Sequence, residues 1–167
     1  GRIEIIAGGD AVGLSGVIET VNSGQLIVTG GLSAMGIDMS IGNQSLWNSG
    51  LIEVTGGTAS TGARVFHHNH PPNPTAYSFV NSGTIRVTDS TAARDSVGLL
   101  FGTGSTSTFV NSGLIEADYA LRVEPMDSGY ASYVHYILNT GELRGLVEID
   151  DVDAVAGAVD VRAHLRV

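Results

Sequence analysis

The stretch FVNSGTIRVTDS, residues 79–90, contains a phrase, Asn-Ser-Gly, to which the chain keeps returning. Copies of the phrase start at Asn22, Asn48 and Asn111, and Asn139 starts the near copy Asn-Thr-Gly. Turns that join unrelated strands are not expected to share the same sequence. The repetition of this phrase therefore indicates a common structural role.

The glycines of these phrases divide the chain into intervals of similar length. The segment that starts at Gly1 reads like the segment that starts at Gly83, so it joins the series as its first member. The marker glycines are Gly1, Gly24, Gly50, Gly83, Gly113 and Gly141, with intervals of 23, 26, 33, 30 and 28 residues. Repeats of about 20–50 residues are typical of solenoids and repeat arrays.

The residues after each glycine follow the pattern of a strand with one buried face. The second residue after the glycine is Ile3, Leu26, Ile52, Ile85, Ile115 or Leu143, and the fourth is Ile5, Val28, Val54, Val87, Ala117 or Gly145. A period of two residues places both positions on the inner face. The residue between them is predicted to point outward and is Glu4, Ile27, Glu53, Arg86, Glu116 or Arg144. Its last four members alternate in charge, as stacked neighbours should because like charges repel.

Each interval holds two further apolar segments, so that one repeat contains three short strands. The second segments are Ala11–Leu14, Met35–Met39, Ala63–Phe66, Val97–Phe101 and Ala120–Val123. The third segments lead into the asparagines and are Val17–Val21, Ser45–Trp47, Tyr77–Val80, Thr106–Val110 and Tyr133–Leu138. The period of about 3.6 residues that indicates a helix is not found.

The Asn-Ser-Gly phrase would have a different structural role in each of two arrangements of these strands. In a meander of antiparallel hairpins the phrase is a hairpin loop, and separate loops have no reason to match. In a coiled chain each turn lies about 4.8 Å from its copy in the next coil, so identical residues contact each other. The asparagines Asn22, Asn48, Asn81, Asn111 and Asn139 then form a structural ladder of side-chain amides, and the hydroxyl residues that follow them form a second ladder. We expect the corner asparagines and glycines to use left-handed backbone conformations.

The coiled arrangement predicts an all-β protein, a right-handed parallel β-helix of about six coils with three short strands in each. The whole chain, residues 1–167, forms a single solenoid domain. Regular coils are expected over about residues 1–149, and a divergent terminal coil over about residues 150–167.

Composition excludes several classes of function. The net charge is −9 and all 8 basic residues are arginine, so a basic surface for nucleic acid is not expected. The chain has no cysteine, which removes disulfides and thiol chemistry. No apolar run reaches the length of about 18 residues that a membrane-spanning helix needs, so membrane insertion by this segment is not expected.

The repeat Val-Asn-Ser-Gly-Thr-Ile at residues 80–85, followed by a Gly-aliphatic-x-aliphatic strand, resembles the passenger regions of bacterial autotransporters and related surface adhesins. The resemblance extends from Gly1 to Ile149. It implies secretion across the outer membrane and an extracellular location at the bacterial cell surface. Such passengers serve as adhesins, stalks, toxins or enzymes.

The segment His67-His68-Asn69-His70-Pro71-Pro72 lies in the longest interval and is predicted to be a projecting loop. Its histidines, His67, His68 and His70, are candidate ligands for a transition metal. The alternative is a stiff solvated loop, because no acidic residue or fourth ligand is adjacent and prolines follow. No cofactor is expected. The carboxylates of residues 148–153 are interpreted as a solvated acidic turn and not as a calcium site.

The sequence is compatible with two functions. The first is a non-enzymatic structural or adhesive module of a bacterial surface or secreted protein. Because Gly1 starts within a repeat, we expect either flanking repeats of a longer chain or end-to-end stacking of copies; a host or environmental glycan is a further possible partner.

The rival is a carbohydrate-active β-helix enzyme or a glycan-binding module. Glu53 and Glu116 are the candidate carboxylate pair, but we expect Arg86 between them to form ion pairs with both and so to oppose a general-acid role. Trp47 is expected to be a packing residue and not an aromatic residue on which a sugar ring stacks.

Overall fold

The computed structural model describes residues 1–16, 19–40, 44–65, 75–92, 94–102, 105–124, 135–149 and 160–163. Within these ranges the chain forms strands and turns without helices, and every strand pairing is parallel. The fold is therefore a parallel β-solenoid, and the antiparallel meander is excluded. The described part of the chain contributes no helix that is long and apolar enough to cross a membrane.

Three stacks of strands form the walls of the solenoid. The first stack contains β1 (Arg2–Ala7), β4 (Gln25–Gly30), β7 (Leu51–Gly56) and β10 (Thr84–Asp89). The second contains β2 (Ala11–Ser15), β5 (Ala34–Met39), β8 (Thr61–Val65) and β11 (Val97–Phe101). The third contains β3 (Glu19–Asn22), β6 (Ser45–Asn48), β9 (Thr75–Asn81), β12 (Ser105–Asn111), β14 (His135–Asn139) and β16 (Asp160–Ala163). The long strands β13 (Leu114–Val123) and β15 (Glu142–Ile149) each continue the first two stacks together.

The expected number of three-stranded coils is therefore wrong: about four coils have three separate strands, and not six. The reason is the length of the first corner. In the second coil, Gly24 precedes the strand of the first stack and Gly36 lies in the strand of the second stack, and they are 36−24=12 residues apart. The equivalent residues of the fifth coil, Gly113 and Ala120, are only 120−113=7 residues apart. No residues remain to turn a corner, so β13 runs straight through and joins the first and second stacks into one sheet.

The core consists of like residues stacked on like residues. In the first stack Leu26, Ile52, Ile85 and Ile115 are consecutive partners, and all are at most 2% exposed. Phe79 and Phe109 are partners in the third stack with ring centroids 5.7 Å apart. Each fully buried aliphatic side chain contributes about 1.5–3 kcal/mol of transfer free energy. Residue size is therefore kept along this row of the first stack, whereas in the second stack it changes from Ile37 to Ala63 to Leu99.

Glycines of the second stack make room for this core. A Cβ atom on Gly62 would lie 2.6 Å from Cγ2 of Ile85 and 2.5 Å from the carbonyl oxygen of Gly98. The equivalent glycines have the same surroundings and are Gly13, Gly36 and Gly98. In these four coils a Cβ at this position would force the first and second walls apart, whereas the coil of β13 accommodates Ala120 there.

Candidate functional site

The Asn-Ser-Gly corner carries the ladder of side-chain amides. Each asparagine donates Nδ2–H to Oδ1 of the asparagine in the next coil, and the donor–acceptor distance is 2.7 Å at all four steps from Asn22 to Asn139. Asn48, Asn81 and Asn111 are at most 1% exposed. Buried amides need partners, and each asparagine here supplies its neighbour's partner.

The same corner binds the next coil through its backbone. The carbonyl oxygen of Asn48 accepts N–H groups from Ser82 at 2.8 Å and Gly83 at 3.1 Å. The hydroxyl of Ser82 donates to this oxygen as well, at 3.4 Å, and the other corners repeat the arrangement. The row of hydroxyls expected from the sequence therefore donates to the asparagine carbonyls of the preceding coil and does not form a ladder of its own.

The expected left-handed backbone at these corners is wrong. Among the described residues, positive φ angles occur at Gly16, Gly145, Ala59 and Arg94, and none of these belongs to an Asn-Ser-Gly phrase. Glycine is required for a different reason. A Cβ on Gly83 would lie 2.1 Å from the carbonyl oxygen of Gly50, and its counterparts meet the preceding glycine at 2.0–2.2 Å. The coils thus touch through bare backbone, and the row of glycines sets how closely they approach.

Two columns of charge run along the outside of the first and second stacks. In the first stack Arg86 lies between its partners Glu53 and Glu116, with nitrogen–oxygen distances of 4.0 and 3.0 Å. Arg144 follows at 3.9 Å from Glu116. This is the alternation of charge that the sequence predicts. In the second stack, Arg64 makes a bidentate contact with Asp38, and Arg122 forms an ion pair with Glu148.

Both candidate carboxylates of the first column, Glu53 and Glu116, face the same guanidinium of Arg86. The geometry provides a chain of exposed ion pairs along the solenoid axis.

The outer face of the third stack carries an apolar column. Val21, Trp47, Val80, Val110 and Leu138 are consecutive partners on this face. Val21, Trp47 and Leu138 are 66%, 39% and 41% exposed. Trp47 takes the position predicted for it, in line with Val21 and Val80, and its side chain lies on the surface and not in the core. A hydroxyl-bearing column that includes Ser45, Ser78, Thr108 and Tyr136 runs beside it.

An acidic corner connects β10 to β11. Asp89 Oδ1 accepts the Ser60 N–H at 3.2 Å, and Asp95 Oδ1 accepts the Ala59 N–H at 2.9 Å. Among the described residues, Asp89 Oδ2 and the fully buried Ser60 Oγ have no partner that meets the geometry of a hydrogen bond. The Ser60 hydroxyl and N–H nevertheless both favour the charged form of Asp89.

The two carboxyls of this corner have pKa values that move in opposite directions. Burial raises the pKa of Asp89, and the Asp95 carboxyl adds to this rise. The N–H of Ala59, together with Asp89 and the Arg122 charge, lowers the pKa of Asp95. Adjacent carboxyls of this kind titrate as a pair.

Metal binding finds no support in the described residues, which contain no group of three or more histidine, aspartate and glutamate side chains arranged to hold an ion. The predicted loop His67 to Pro72, with its candidate ligands His67, His68 and His70, lies outside the described residues. Residues 150–153 of the acidic turn lie outside them as well.

Comparison with known proteins assigns no family. No family model matches the sequence, and neither the curated proteins nor the solved structures contain a significant match.

Proposed function

We propose that the chain is a non-enzymatic structural and adhesive β-solenoid module of a bacterial surface or secreted protein. The observation that carries this proposal is that the outward charged side chains form ion pairs with one another. Arg86, Glu116 and Arg144 pair with their neighbours along the axis, and do not converge on a common point where a substrate atom could sit. The resemblance of the repeats to autotransporter passengers supports an extracellular setting.

The adhesive part of the proposal belongs to the third stack. Its apolar column is exposed at Val21, Trp47 and Leu138, is partly buried at Val80 and Val110, and runs beside hydroxyl groups. Contiguous exposed apolar surface is typical of interaction sites. The first and second stacks carry charge on the same face instead. The third stack therefore differs from the other two in carrying an apolar column where they carry columns of ion pairs.

Beads coated with the protein test this function. We expect coated beads to adhere to bacterial or host-cell layers and Trp47→Ser to reduce the adhering fraction severalfold. Val12→Ser is the matched control, because Val12 is 48% exposed on a different stack. Adhesion that is equally lost in both variants, or absent from the wild type, contradicts the proposal.

A carbohydrate-active or glycan-binding role is the second candidate, and the exposed indole of Trp47 favours it because aromatic rings can stack on apolar faces of ligands. A glycan array together with a polysaccharide depolymerisation screen separates the two candidates. Depolymerisation that disappears on Glu53→Gln or Glu116→Gln would establish an enzyme, whereas glycan capture without turnover that depends on Trp47 would identify the adhesive ligand.

A further inference from the structure

The apolar column of the third stack is bordered by hydroxyl groups on both sides. From β6 to β14 its members are consecutive partners, namely Trp47, Val80, Val110 and Leu138. The residues two positions before them and two positions after them all bear hydroxyls, and are Ser45, Ser78, Thr108 and Tyr136 on one side and Ser49, Ser82, Ser112 and Thr140 on the other. All of these flanking residues are exposed or half-buried. The surface therefore has three parallel columns, with apolar side chains in the middle and hydroxyls along both edges.

None of the side chains in these three columns is charged, although the chain as a whole has a net charge of −9. On the other two stacks the outward columns carry ion pairs, such as Arg86 with Glu116 and Arg64 with Asp38. An ionic ligand would lose water on the third stack without meeting an opposite charge there. An uncharged ligand that combines apolar and hydroxyl surface matches this stack better.

The apolar column forms a shallow trough that runs along the solenoid axis. Val80 and Val110 form its floor, because they are less exposed than Trp47 and Leu138 at its two ends. Three steps of about 4.8 Å separate Trp47 from Leu138, so the trough is about 14 Å long. Trp47 is 39% exposed, and Tyr136, two residues before Leu138 on the same surface, is 52% exposed. An exposed aromatic residue is therefore available at each end of the trough.

The size of the trough favours a narrow ligand over a protein. Its width is one residue column, about 7 Å, so the apolar stripe covers only on the order of 100 Å². A stable protein interface buries about 800 Å² on each partner, with an apolar core and a polar rim. A protein partner would have to cover the charged walls as well. A single extended chain of small rings, in contrast, fits within the three columns.

A pyranose ring with equatorial hydroxyls has the complementary pattern. Its C–H groups form apolar faces that can stack on an aromatic or aliphatic side chain, and its hydroxyls project from its edges. The corner serines are suited to accept from these hydroxyls, because the Ser82 hydroxyl donates its own proton to the Asn48 carbonyl at 3.4 Å and keeps lone pairs free. A β-1,4 linkage holds such rings in a straight, flat ribbon, whereas an α-1,4 linkage makes the chain curl. The straight columns of the solenoid therefore fit the β-linked ribbon.

We propose that the outer surface of the third stack binds an uncharged, β-1,4-linked glycan that lies along the solenoid axis. One ring stacks on the indole of Trp47, the following rings lie over Val80 and Val110, and the two hydroxyl columns exchange hydrogen bonds with the edges of the sugar. The proposal rests on the adhesive role proposed above and names the class of ligand that this role requires.

Calorimetric titration of the whole chain with three hexasaccharides tests the proposal. Cellohexaose is uncharged and β-1,4-linked, maltohexaose differs from it in linkage alone, and a β-1,4-linked hexamer of glucuronate differs from it in charge. We expect saturable binding of cellohexaose, with Kd values at least about tenfold higher for the other two.

Variants of the trough locate the binding surface. Trp47→Leu keeps an apolar side chain but loses the aromatic face, so it should raise the Kd for cellohexaose at least about fivefold, whereas Trp47→Phe should raise it less. Val80→Asp places a charge under the ligand and should abolish binding. Val12→Asp is its matched control, because Val12 is exposed on the second stack, and it should leave the Kd unchanged. Circular dichroism and thermal melting establish that each variant is folded.

Several results overturn the proposal. These are the absence of saturable binding at the highest soluble concentration of cellohexaose, equally tight binding of maltohexaose or of the charged hexamer, and binding that Trp47→Leu and Val80→Asp leave unchanged. Sedimentation velocity that finds a dimer dependent on Trp47 also overturns it, because a second copy then occupies the trough. Adhesion of coated beads that depends on Trp47 without cellohexaose binding points to a protein receptor. That result overturns the ligand proposed here and leaves the adhesive function standing.

Discussion

The glycine of the repeated phrase shows how a single residue determines the distance between coils. At Gly83 the limiting contact is backbone to backbone, since the Gly50 carbonyl oxygen occupies the space that a Cβ would need. A side chain at this position has no flexible neighbour to displace. The two coils would have to separate locally, and the 2.8 Å hydrogen bond from the Thr84 N–H to Gly50 would lengthen.

Gly83→Ala should therefore lower the free energy of unfolding by about 1–3 kcal/mol, the usual range for overpacking. The matched substitution Gly8→Ala meets nothing within 4 Å, and it should be neutral or stabilising by less than about 1 kcal/mol through reduced entropy of the unfolded chain. Chemical denaturation of both variants at dilute concentration provides the comparison. Equal effects of the two substitutions would show that close approach is not the function of the corner glycine.

The asparagine ladder makes a second prediction at the residue scale. Asn81→Ala removes the acceptor of Asn48 Nδ2–H and the donor to Asn111 Oδ1. Because both remaining groups are buried, we expect the free energy of unfolding to fall by about 2–4 kcal/mol. Asn22→Ala removes one ladder bond, to Asn48, together with the contacts to the Leu51 carbonyl and the Gly24 N–H. Because Asn22 lies at the partly exposed end of the row, this substitution should cost about half as much. A loss at Asn81 no larger than at Asn22 would contradict this account of the ladder.

At the scale of the elements, the corner between β10 and β11 makes stability depend on pH. The pKa of Asp89 is raised above its ordinary value of 3.8, so the folded protein binds this proton more tightly than the unfolded chain does. Ionised Asp89 therefore opposes folding. Its unfavourable effect develops as pH rises from 3.8 through the folded pKa, and it is fully present at neutral pH.

Asp89→Asn should raise the melting temperature at neutral pH, and its advantage should disappear in acid, where Asp89 is protonated. The new amide can still accept the Ser60 N–H and can donate to Asp95. Asp95→Asn is the opposite case. Because the pKa of Asp95 is lowered in the folded protein, its ionised carboxylate stabilises the fold at pH values above 3.8, and this stabilisation is lost as the pH falls. Asp95→Asn should therefore have a lower melting temperature than the wild type at neutral pH. Thermal melts of both variants across the acid range check the signs, and a lower melting temperature for Asp89→Asn at neutral pH would refute the argument.

The elements also show which features could be predicted from the sequence. The stacking of Asn81 on Asn111 and of Arg86 on Glu116 could be predicted, because in a parallel solenoid equal positions in the repeat become neighbours. The continuous β13 could have been predicted from the short spacing between Gly113 and Ala120. The backbone angles at Gly83 could not, since glycine suits both a left-handed turn and a close approach, and only the packing of adjacent coils decides between them.

For the whole molecule, the solenoid predicts a gradient of stability along its axis. Each coil contacts only its neighbours, so a central coil is held on two sides and an end coil on one. Ile52 in β7 and Ile85 in β10 are completely buried, whereas Ile3 in β1 is half exposed. Hydrogen exchange followed by mass spectrometry at dilute concentration should therefore find the slowest amides in β7 and β10 and the fastest in β1, over several orders of magnitude in rate.

The decisive contrast in this experiment is between β7 and β10, which are paired on both edges, and β1, which among the described strands pairs only with β4. Uniform exchange along the chain would mean that the coils unfold as one cooperative unit, and would contradict the nearest-neighbour account of the solenoid.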